Sequence, residues 1–149
     1  MTLAGGSTGG TVTFEAGSKT LAITAASAGA VTINDTGLAV DDSLAITTSN
    51  TIDTLNAKIV TINGFETVSL DTGTATAKDI DDITINGDPD SAGDNTAATL
   101  TLTGAASLTH ATGGVATVGA AADAGEIDAS AMTGAYVQVV ASVGASTCL

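Results

Sequence analysis

The residues in this chain whose types and spacing could do chemistry are carboxylates. Asp88, Asp90 and Asp94 share one polar loop with Asn95. Asp79, Asp81 and Asp82 ride a short acidic ramp, and Asp35, Asp41 and Asp42 bracket a corner. Aspartate is a short carboxylate that sits in turns and offers oxygen to hard cations. Spacing such as Asp88-x-Asp90 lets two carboxylates approach one ion from a loop. Calcium is the ion these three clusters would suit. The competing reading of each cluster is a solvated acidic loop. The chain carries 16 acids against three lysines and no arginine, a formal net charge of -13, and that alone promotes solubility.

Other chemistries find no support in the sequence. His110 is the only histidine and Cys148 the only cysteine. The two make a poor zinc pair, and no disulfide can form within the chain. A lone histidine beside a strand end reads as a surface residue. No Gly-x-Ser-x-Gly elbow accompanies any Ser-His-Asp combination, and no Gly-Lys-Ser/Thr follows the abundant glycines. A glycosidase-like carboxylate pair would want aromatic platforms for sugar, and the only aromatics are Phe14, Phe65 and Tyr136. The chain therefore reads as a non-enzyme. Three lysines cannot neutralise a phosphate backbone, so nucleic acid is excluded as a partner, and anionic membrane surfaces are disfavoured. No apolar run approaches the roughly 18 residues of a membrane span. The first twenty residues lack a basic region followed by an apolar block. This predicts either a mature or recombinant segment, or export without a cleaved N-terminal signal.

The elements that must position these residues are short strands. The clearest stretch runs from Ile59 to Asp71. Val60 and Ile62 face one way, Thr61 and Asn63 the other. Gly64 breaks the strand, and Val68 and Leu70 then face inward again. The motif apolar-Thr-apolar-Asn/Thr begins at Val31, Val60, Ile83 and Leu100, with second strands at Val68 and Leu108. Further strands are expected at 12–14, 21–24, 44–48 and 135–140, with a weak one at 115–118. Residues 52–58 read as an irregular connection in preference to a helical turn, and 127–134 as the approach to the last strand. Residues 1–10, rich in Gly, Ser and Thr, read as a flexible arm, or one that orders only against a neighbour. Residues 11–149 read as a single β-rich domain.

Short strands repeated around glycine corners fit either a parallel β-solenoid or a β-sandwich. The solenoid is preferred. Asn and Asp fall just after strands, where a coil turns its corner, and hairpin signals are scarce apart from Asn63-Gly64 and Asn86-Gly87. The tryptophan of an immunoglobulin-type sandwich is missing. With so few rings, the core is expected to be thin. A solenoid also leaves open ends. Residues 1–14 or 136–149 are expected to add strands to a neighbouring copy, giving a homo-oligomer or polymer.

Three passages, Val60 to Leu70, Leu100 to Thr109 and Ile127 to Ala135, resemble bacterial surface-layer proteins and related secreted proteins of the RTX class. "Gly-Phe-Glu-Thr-Val-Ser-Leu" and "Ile-Asp-Ala-Ser-x-Met-Thr-Gly" are similar to phrases that recur there. The resemblance implies an extracellular, lattice-forming β-solenoid at the cell surface, stabilised by calcium and exported by an uncleaved C-terminal signal. The RTX nonapeptide Gly-Gly-x-Gly-x-Asp is absent, and the chain is short for such a subunit. That fits a segment of a longer protein or a small filament-forming relative. An adhesin or fibre module binding a cell-surface polysaccharide is the alternative, and a polysaccharide-active β-helix enzyme ranks below both.

Overall fold

The structure is a computed structural model. It describes residues 1–3, 9–26, 28–37, 42–55, 58–87, 98–110, 116–119, 125–137 and 147–148. Among these residues every regular element is a strand. In chain order they are β1 (Thr2–Leu3), β2 (Gly10–Phe14), β3 (Lys19–Ile23), β4 (Val31–Asp35), β5 (Ser43–Thr48), β6 (Val60–Asn63), β7 (Thr67–Asp71) and β8 (Lys78–Ile80). There follow β9 (Ile83–Asn86), β10 (Thr99–Gly104), β11 (Leu108–His110), β12 (Ala116–Val118), β13 (Glu126–Met132), β14 (Tyr136–Val137) and β15 (Thr147–Cys148).

The strands form three sheets: a seven-stranded one (β1-β3-β5-β7-β10-β13-β15), a five-stranded one (β2-β4-β6-β9-β12) and a three-stranded one (β8-β11-β14). Every pairing among the described strands is parallel. Each sheet takes its strands in chain order, and consecutive strands always lie in different sheets. Parallel neighbours cannot be joined by a tight turn, so each connection visits another sheet before returning. Asn63-Gly64 does not make a hairpin, and among the described residues none follows Asn86-Gly87, whose next residues lie outside the described ones. Gly64, at φ 80°, turns the chain from β6 into β7 of a different sheet.

The alternation read from the sequence is the one that builds the core. In the five-stranded sheet Val12, Ile33, Ile62, Ile85 and Val118 stack as one inward column. In the seven-stranded sheet Leu44, Val68, Leu100 and Ile127 stack as another, beside Leu21, Ile46, Leu70 and Leu102. All are buried. Burying each such side chain contributes about 1.5–3 kcal/mol. Like residues at the same height keep the columns in register, because a one-residue slip would turn every inward side chain outward.

The Asn at the end of the sequence motif locks that register. Asn63 donates its side-chain amide to Asn34 Oδ1 at 2.8 Å, and Asn86 donates to Asn63 Oδ1 at 2.8 Å. This ladder adds a side-chain hydrogen bond between each pair of successive strands β4, β6 and β9.

The structure differs from the sequence reading at four places. Residues 127–134 are no mere approach, since most of them lie in β13, the longest described strand. Lys78 to Ile80, read as part of an acidic ramp, is a strand. Thr2–Leu3, within the predicted N-terminal arm, pairs with β3 of the same chain. His110, read as a surface residue, is half-buried at the end of β11, its ring edge-on to Tyr136 at 6.0 Å.

Candidate functional site

The strand-end aspartates close turns. Asp35 and Asp71 end β4 and β7, and each accepts a hydrogen bond at Oδ1 from the glycine two residues on: Gly37 at 2.6 Å and Gly73 at 2.8 Å. Asp53 does the same for Leu55 N–H at 3.1 Å, and Asp128 for Ser130 N–H at 2.9 Å. A short carboxylate that binds backbone two residues on imitates a peptide turn. At Asp128 the Ser130 hydroxyl, then the Ser130 backbone N–H, holds the carboxyl below its ordinary value.

Of the sequence-predicted cation clusters, Asp88, Asp90, Asp94 and Asn95 lie outside the described residues, as does Asp41. Asp79, Asp81 and Asp82 are described and do not converge. Asp79 sits on the outward side of β8, where its N–H donates to Asp53 Oδ2 at 3.1 Å. Asp81 and Asp82 use backbone groups to tie Lys58, Val60 and His110. Among the described residues no three acidic, histidine or cysteine side chains form a metal-sized group.

Asp42 has a different environment. It is 1% exposed, and Glu66, one rung along the sheet, is 6% exposed. Asp42 N–H donates to Glu66 Oε2 at 2.6 Å, and Glu66 N–H returns a bond to Asp42 O at 3.1 Å. Gly17 N–H donates to Asp42 Oδ1. The other oxygen, Asp42 Oδ2, is enclosed with no hydrogen-bond partner among the described residues, and so is Asp35 Oδ2. Asp42 was among the sequence candidates and Glu66 was not. The signal for Glu66 was present. Alternation counted back from Leu70 and Val68 places position 66 inward, just as alternation counted back from Ile46 and Leu44 places position 42 inward.

Comparison with protein-family models, with curated proteins and with solved structures finds no match.

Lys78 is the third buried charged residue among those described. It occupies an inward position of β8, in register with Leu108, and is 0% exposed. Its Nζ donates to Ile52 O at 3.0 Å and Thr76 O at 2.7 Å, tying β8 to the preceding circuit. Burial pushes its pKa below the ordinary 10.5, and the nearby Asp53 carboxylate opposes that shift. With the folded pKa lowered, the unfolded chain binds more proton between that lowered value and 10.5. Stability therefore rises with pH across that window. Lys78→Met keeps the volume and removes the buried charge. We expect it to match or exceed the wild type at pH 7, since apolar replacement of buried charge is often neutral or better. The wild type should gain on it as pH approaches 10.5. Urea denaturation of both proteins across that range checks this, and a wild type that loses ground with rising pH would contradict it.

Proposed function

We propose that this chain is a parallel β-solenoid and an extracellular structural subunit that stacks end to end into a surface layer or filament, with calcium as its charge-neutralising partner. The observation that carries the reading is the strand order. Strands enter each sheet in chain order, so each sheet has one edge from the start of its run and one from the end. Edges of parallel strands present unpaired N–H and C=O groups, and these pair readily with another chain. The terminal strands β1 and β15 form the two edges of the seven-stranded sheet, and β2 and β12 those of the five-stranded one. Within residues 1–14 and 136–149, the described strands β1, β2, β14 and β15 pair inward with their own chain, and their outer edges would serve assembly. The all-parallel pairing disfavours the antiparallel sandwich, and the passages similar to surface-layer proteins supply the extracellular setting.

Assembly of subunits with formal charge -13 needs something that removes charge locally. Like charges at about 4 Å cost on the order of 1 kcal/mol per pair even in water, and salt screens only beyond about 8 Å at physiological strength. Asp42 and Glu66, with the enclosed Asp42 Oδ2, have the oxygen donors a calcium ion takes. The expected result is that a chelator lowers the Tm or disperses the particles. Calcium should reverse this, and sodium chloride of equal ionic strength should not. Light scattering and a thermal melt read both, with Asp42→Asn and Asp88→Asn separating the two loops. If chelation changes neither Tm nor particle size, the carboxylates are a soluble surface and the calcium part falls. A chain that stays monomeric at high concentration with calcium present would leave the adhesin reading in its place.

A further inference from the structure

We propose that the outer face of the five-stranded sheet binds ice. Its outward positions form a two-dimensional array. Thr11, Thr32, Thr61, Thr84 and Thr117 stand in register on five successive strands. Two residues along the strands, Thr13, Asn34, Asn63 and Asn86 form a second row. None of these nine side chains is charged, in a chain with 16 acids. Among the described residues, the nearest acids on this side by alternation, Glu15 and Asp82, lie just beyond the strand ends.

Strand propensity alone would favour threonine at any half-exposed strand position. The same molecule contains the control. The matching outward column of the seven-stranded sheet reads Thr20, Ala45, Ser69, Thr101 and Asp128, and its neighbour includes Asp71. The three-stranded sheet offers Asp79, Thr109 and Val137. Uniform threonine and the absence of charge are thus properties of one face and not of the fold.

The hydroxyls also differ in use. Thr36, Thr48, Thr72 and Thr109 each bond a backbone carbonyl of another rung. The five stacked threonines have no protein partner among the described residues. A row of such groups repeats about every 4.8 Å across strands and roughly every 6.6 Å along them. The Asn34–Asn63–Asn86 ladder keeps that spacing regular. Each threonine presents a methyl group beside a hydroxyl. An uncharged, periodic grid of this kind fits a crystalline partner whose own repeat matches in both directions. The oxygen spacings on the prism face of hexagonal ice are of this size. A charged polymer has nothing to pair with here, and no aromatic lies among the nine positions to stack on a sugar ring.

The proposal does not rest on the assembly reading, and its test uses the full chain. Ice is grown slowly from a dilute solution on a cold finger, and protein is measured in the ice and in the remaining liquid. The gap between melting and freezing points is read in the same samples. The wild type should be enriched in the ice and should open a gap. Thr61→Lys, which puts a long cation in the centre of the grid, should fall to the level of a protein that ice excludes. Ser69→Lys, in the matching column of the seven-stranded sheet, should behave as wild type. Circular dichroism confirms the fold of each, and Thr84→Lys replaces Thr61→Lys if the latter does not fold. A wild type excluded from ice overturns the proposal, including one that is instead retained on insoluble crystalline polysaccharide. So does a folded Thr61→Lys that stays in the ice, or a Ser69→Lys that is lost equally.

Discussion

Replacing Phe65 with alanine is expected to remove about 3–5 kcal/mol of stability, the range for deleting a buried aromatic ring. That is a large part of the roughly 5–15 kcal/mol a natural domain has. Phe65 is 0% exposed, and the core around it is otherwise aliphatic, apart from the partly buried Phe14 and Tyr136. It follows Gly64 at the corner between β6 and β7, so its backbone is fixed by the turn and cannot move in to fill the space. Phe14, at the end of β2, meets it edge to face, with centroids 6.4 Å apart and planes at 77°. The pair links a strand of the first rung to the corner two rungs on. Phe14→Ala should cost less, because Phe14 is only partly buried. The double variant should show a coupling of about 0.5–1.5 kcal/mol beyond the two separate losses. Urea midpoints of the four proteins measure this. A Phe65→Ala midpoint near that of the wild type would mean that the corner collapses onto the vacated space.

What was legible in the sequence was the alternation, and it carried the fold a long way. The repeated apolar-Thr-apolar-Asn phrase specified an inward column with threonine and asparagine outward, and both are present at Val31, Val60 and Ile83; that the asparagines bond one another along the sheet was not read. Alternation within a strand is a local property, so local reading finds it. Partner identity is not local. The circuits between Val31, Val60, Ile83 and Ala116 differ in length, and nothing in the residues between them says that the chain must return to the same sheet. The burial of the charged residues was missed for a related reason. Lys78, Asp42 and Glu66 sit at the strand ends or just outside, and charge there is ordinarily read as solvent-facing. Counting the period backwards from Ile80, Leu44 and Val68 places all three inward, but that step needs confidence that the strand direction persists through its end. The turn-closing role of Asp35 and Asp71 was legible from Asp-Thr-Gly. The contrast between a threonine face and a mixed face was not, because it exists only once register is known.

Gly104→Ala is the other substitution expected to cost most, and three glycines separate its causes. Gly104 has φ 107°, a conformation that a side chain resists. A methyl group there would also lie 2.5 Å from Thr72 Oγ1, and 2.8 Å from both Asp71 Oδ1 and Gly73 O. Two of those atoms cannot yield easily. Gly73 O is fixed by N–H bonds from Ala105 at 2.7 Å and Ala106 at 3.0 Å, and Thr72 Oγ1 is buried against Thr103 O and Ala106 O. The corner above depends on Gly104 as well, since Thr133 N–H donates to Gly104 O at 3.0 Å. Gly17 has a similar φ, 103°, with nothing within 4 Å of the added carbon, and Gly10 has neither the strained φ nor a close neighbour. Gly10→Ala should therefore be neutral or slightly stabilising, through reduced freedom of the unfolded chain. Gly17→Ala should cost about 1–3 kcal/mol for the backbone conformation alone. Gly104→Ala should exceed Gly17→Ala by a further 1–3 kcal/mol or so, the usual cost of overpacking a rigid site. Denaturation midpoints in that order support a corner held rigid by its stacked neighbours. A Gly104→Ala protein no less stable than Gly17→Ala would show that the Asp71–Gly73 turn shifts to admit the methyl, and that the rungs are held by their strands and not by their corners.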